Sequence, residues 1–104
     1  MKADEILFFI ASNEFMKSNT SMRNIVNLVS AIWDIPIKRC WYYLKKWCDL
    51  GFYDYGVSLD LGWFCPDKFP DRYKYLLNKE KVQDGYKAIN IDIDELVKLA
   101  RKVN

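Results

Sequence analysis

The 104-residue chain reads as a single α+β domain: three helices, a β-hairpin, and a C-terminal strand and helix. Apolar residues recur at three- and four-residue spacing through the first fifty positions, and the period changes to two from Phe52. A chain of this length closes one core, which buries roughly two-thirds of its unfolded surface. With 51% apolar and 16% aromatic residues, that core is expected to be rich in rings.

The elements follow in order. Ala3, Ile6, Leu7, Ile10 and, less regularly, Phe9 predict a first helix over about 3–16, with Asp4 and Glu5 suited to its positive end. Ser21 stands as an N-cap before Ile25, Val26, Leu28, Val29 and Ile32, a second helix over about 22–32. Trp33 to Ile35 form a short connection. Pro36 then suits the first position of a third helix running to Leu50, whose core stripe is Cys40, Tyr43, Leu44, Trp47 and Leu50. Gly51 takes the position past the helix end that often needs positive φ. Phe52 to Tyr55 and Val57 to Leu59 alternate, Gly56 and Gly62 each end a turn, and Trp63 to Cys65 is β-prone, so a hairpin is expected within 52–65. Pro66 to Pro70 reads as a loop. Asp71 to Lys81 fits a strand or a helix, with helix favoured. Ile89, Ile91 and Ile93 predict a short strand, and Asp94 caps a last helix carrying Leu96, Val97, Ala100 and Val103. That helix is too short to stand alone in water, so it packs on the first helix or on a second copy of the chain as a homodimer.

Several chemistries are excluded or disfavoured. The chain has no His, which removes His-based nucleophile pairs and His-containing metal sites. Cys40, Cys48 and Cys65 are odd in number and lack a C-x-x-C, so they read as reduced, small core residues. Asp92, Asp94 and Glu95 are better explained as the acidic start of a helix than as a cation site, and the glycines have no phosphate-cradling spacing. The run from Ile6 to Ala11 is too short for a membrane span or signal peptide. A cytoplasmic, non-enzymatic protein with no cofactor, no metal and no membrane partner is expected.

Helix, helix, turn, then Pro36-Ile-Lys-Arg-Cys-Trp-Tyr-Tyr-Leu-Lys-Lys-Trp-Cys-Asp-Leu-Gly-Phe52 before a hairpin resembles the winged helix-turn-helix superfamily over residues 3–65. Residues 66–104 form an extension beyond that fold's minimal core. Cys40, Leu44, Trp47 and Leu50-Gly51 fill the inward positions of its recognition-helix pattern. The resemblance implies that the third helix enters the major groove of duplex DNA, with Lys38, Arg39, Trp41, Tyr42, Lys45 and Lys46 as contact residues. A transcriptional regulator of bacterial or mobile-element type, such as a phage protein, is the function implied.

The charge distribution leaves two readings open. Residues 35–51 carry a net +3 within a chain of +2, which supplies a local basic face. The same Lys and Arg side chains also serve plain solubility. Residues 52–71, with Asp54, Asp60, Asp67 and Asp71 against Lys68, carry −3 where DNA phosphates would repel them, and residues 72–104 carry +3. The alternative is a protein-interaction module, for example a phage-type inhibitor or adaptor, in which Trp41, Tyr42 and the acidic wing grip a larger protein.

Overall fold

A computed structural model describes residues 2–17 and 20–77. Three helices, α1 (Ala3–Met16), α2 (Met22–Trp33) and α3 (Ile37–Asp49), precede a two-stranded antiparallel hairpin of β1 (Tyr53–Asp54) and β2 (Trp63–Phe64). A short helix, α4 (Asp71–Leu76), follows. The hairpin pairs Tyr53 with Phe64 and Asp54 with Trp63, and 3₁₀ turns occupy Leu59–Leu61 and Pro66–Lys68, the second inside the expected loop. The ambiguous stretch after Asp71 is helical as far as Leu76. The expected strand at 89–93, the last helix and any dimer surface on it lie outside the described residues.

Local chemistry sets the boundaries. Ser21 caps α2 by accepting a hydrogen bond from the Asn24 amide at 3.3 Å. Past the end of α3, Gly51 has φ 89° and donates to the Cys48 carbonyl at 3.0 Å, while Phe52 donates to Trp47 at 3.2 Å. This closing pair of bonds needs a left-handed residue at position 51. Pro36 is the N-cap of α3 and not its first helical residue. Its ψ of 134° is extended, and its carbonyl accepts from Arg39 at 2.9 Å and Cys40 at 3.2 Å.

Packing revises three of the expected stripes. The first helix is buried on nearly all sides, through Glu5, Leu7 to Ser12 and Phe15, because α2, α3, the hairpin and α4 enclose it. Phe9 is its centre: the rings of Trp47, Phe52, Phe64, Phe69 and Tyr73 lie 5.1–5.9 Å from it, all edge-on. In α2 the buried set is Met22, Ile25, Val26 and Val29, leaving Leu28 half-buried and Ile32 exposed near the helix end. Leu50, expected in the core, is 41% exposed, since α3 ends at Asp49 and the chain turns there.

Candidate functional site

Three overlapping sets of side chains on α3 bear on the site. Cys40, Tyr43, Leu44 and Trp47 are buried, and burial pushes the Cys40 thiol up to about 11, so it stays protonated. Arg39, Tyr43 and Lys46 recur at i, i+4 and i+7, which places them along one flank, facing the first turn of α1. Lys38, Tyr42, Lys45 and Asp49 are exposed, with Tyr42 at 64%.

Along the α1 flank, two acids hold two of the four bases. The Arg39 guanidinium donates from Nη1 to Asp4 Oδ2 at 2.8 Å, and the Tyr43 hydroxyl donates to Asp4 Oδ1 at 2.6 Å. Partial burial opposes ionisation of Asp4, but the bonds from Tyr43 and Arg39 outweigh it and hold the carboxyl below its ordinary value. The same pairing raises Arg39.

Glu5 lies deeper, only 2% exposed. Its Oε1 accepts from Lys46 Nζ at 2.8 Å, and its Oε2 accepts from Trp47 Nε1 at 3.0 Å and the Tyr73 hydroxyl at 2.8 Å. Desolvation alone would favour the neutral acid, yet these three donors keep the carboxyl below its usual range. The sequence reading gave Asp4 and Glu5 only a helix-end role and missed these pairs. The available signal was an acid directly before the apolar run Ile6 to Ala11, on a helix hydrophobic all round.

Arg39 and Lys46, two of the expected contact residues, are therefore engaged within the chain. Trp41 is half-buried against the core and not a free ring on the outer face. Lys38 and Lys45 make no ion pair with any described residue, and Tyr42 meets the Tyr43 ring edge-on, at 5.8 Å between ring centres. A groove of about 460 Å³ opens between α1 and α3, lined by Lys2, Glu5, Arg39, Tyr42, Tyr43 and Lys46.

The acidic hairpin is also partly engaged. Asp60 reaches the start of α2, where its Oδ1 accepts from the Arg23 amide at 2.8 Å and its Oδ2 lies 3.8 Å from Arg23 Nε. Asp54 accepts from the amide of Tyr55 at 2.8 Å. Around these acids the hairpin exposes Tyr55, Val57, Leu61 and Trp63, with Val57 at 92%.

Among the described residues, no three Cys, Asp or Glu side chains converge as metal ligands, no disulfide forms, and no helix is long and apolar enough to cross a membrane. No protein-family model, curated protein or solved structure matches the chain.

Proposed function

We propose that the chain is a small non-enzymatic DNA-binding protein of the winged helix-turn-helix type, a regulator that lays α3 in the major groove. The observation that carries this reading is the exposed row Lys38, Tyr42 and Lys45 on α3: a ring between two cations that make no ion pair with any described residue, on the helix that directly precedes the hairpin. Three helices followed by an antiparallel hairpin are compatible with this architecture. The set available for base contacts is narrower than the basic count of α3, since Arg39 and Lys46 begin in ion pairs.

A salt series with duplex DNA tests the reading. Affinity should fall with a linear log–log slope, and Lys38→Glu with Lys45→Glu should abolish binding without unfolding the domain, because both side chains are exposed. A folded double variant with unchanged affinity, or a wild-type protein with no affinity at low salt, would end the DNA proposal.

A protein-binding role is favoured by a different observation, the exposure of four large apolar residues, Tyr55, Val57, Leu61 and Trp63, on the hairpin that carries the acids. In that case Trp63→Ala and Tyr42→Ala should each cost about 2 kcal/mol or more of partner affinity.

A further inference from the structure

The groove between α1 and α3 holds more cationic capacity than its ion pairs consume. Arg39 has five N–H donors and spends one on Asp4; Lys46 has three and spends one on Glu5. Both side chains remain open to solvent, at 52% and 36%, and Lys2 is exposed on the same groove without an ion pair to any described residue. The carboxylates sit on the inner side of the cations. Glu5 is covered and has both oxygens occupied by donors, and Asp4 spends both of its oxygens on Tyr43, Arg39 and the Glu5 amide. Acids placed behind cations fix the geometry of those cations and leave their outward donors free, which suits a site for an oxyanion that accepts several hydrogen bonds at once. Three cations against two internally satisfied carboxylates leave the groove with a surplus of positive charge.

We infer that this groove is a phosphate-binding subsite, in which Lys2, Arg39 and Lys46 take one phosphodiester of the DNA backbone while Tyr42 packs on the adjoining sugar. The inference deepens the DNA reading and rests on it for the source of the phosphate; the shared chemistry is a phosphate group. Arg39 and Lys46 then contribute to binding through the backbone, in place of the base contacts that the third helix implied for them. Asp4 is a positioning residue: it aims Arg39 and at the same time weakens the field that the phosphate meets.

The test keeps net charge constant. Asp4→Asn with Arg39→Gln removes one acid and one base together, so long-range steering is unchanged, whereas a direct donor is lost. The subsite requires this double variant to bind duplex DNA roughly tenfold or more weakly than the wild type, the worth of one charge-assisted hydrogen bond. Its salt slope should fall by about one. A folded double variant that matches the wild type in both affinity and slope, while Lys38→Glu with Lys45→Glu abolishes binding, overturns the subsite and leaves the DNA reading standing.

A second measurement does not depend on DNA. Inorganic phosphate titrated into the labelled protein should move the Arg39 side-chain resonance and the Tyr42 ring signals along a saturating curve, and in the double variant the Tyr42 signals should no longer respond. That response in a protein without DNA affinity assigns the groove to a phosphate group from another source and discards the DNA reading. No response in the wild type overturns the subsite.

Discussion

Lys46 and Glu5 are joined across 41 residues of sequence by a 2.8 Å hydrogen-bonded ion pair, and the carboxylate end of that pair is sealed inside an aromatic core. Trp47, next to Lys46 in sequence, donates to the same carboxylate, so adjacent residues on α3 engage both Glu5 oxygens. Tyr73 adds α4 to the arrangement. The three helices are thus fixed by one buried acid whose every oxygen has a donor. An apolar core alone would not set their rotation so narrowly.

Replacing that acid should be costly. Glu5→Gln keeps the size of the side chain but turns an amide NH₂ toward donors, and it leaves the ammonium of Lys46 without its counter-charge. A loss of about 3 kcal/mol is expected, read as a lower urea midpoint at constant slope. A change under about 0.5 kcal/mol would mean that the amide serves the three donors as well as the carboxylate does.

Stability should fall at both ends of the pH scale, with opposite signs. Asp4 and Glu5 titrate lower in the folded chain, so their contribution is complete above the ordinary carboxyl range of about 4 and is lost as pH drops through the lowered values. Tyr73 is pushed up to about 12, by burial first and then by its bond to Glu5. Its contribution is complete below the ordinary phenol value of about 10 and is lost as pH rises toward 12. Urea midpoints measured across pH should show both limbs. Tyr73→Phe should weaken the alkaline limb, and Glu5→Gln the acid one.

The hairpin has one glycine that cannot be replaced and one that can. A Cβ at Gly62 would lie 2.5 Å from Tyr53 Cζ, 2.7 Å from the Asp54 carbonyl oxygen, and against the Tyr53 hydroxyl, which is itself fixed by its bond to the Leu59 carbonyl. Gly62→Ala should cost about 1–3 kcal/mol. At Gly56 the same atom meets nothing within 4 Å, and Gly56→Ala should stay within about 0.5 kcal/mol. Thermal melts of the two variants make the comparison.

The acids of the hairpin and the loop after it should separate by role. Asp60→Ala removes an acceptor from the first turn of α2 and should cost about 1 kcal/mol of stability, the usual worth of a helix cap. Asp54→Asn with Asp67→Asn should leave stability nearly unchanged, since both residues are exposed. That pair should leave DNA affinity equal or improved under the DNA reading, and weaken a protein complex under the other. Calorimetry of the free variants and anisotropy with DNA measure the two effects.

The first three helices were legible in the sequence, with their ends placed to within about one residue, because they are set by neighbours. Ser21, Pro36 and Gly51 act on backbone groups within a few residues, and the change of period at Phe52 marks where the hairpin begins. The outward positions of Lys38, Tyr42 and Lys45 followed from the same helical spacing. The pairing of Arg39 with Asp4 and of Lys46 with Glu5 was not legible, because each joins residues 35 and 41 positions apart and exists only once α1 has docked on α3. Periodicity identifies an outward-facing base, but whether that base meets solvent or a carboxylate depends on what lies across the groove. The burial of α1 on nearly all sides and the capping of α2 by Asp60 were decided in the same way, by elements distant in the chain that meet only in the folded domain.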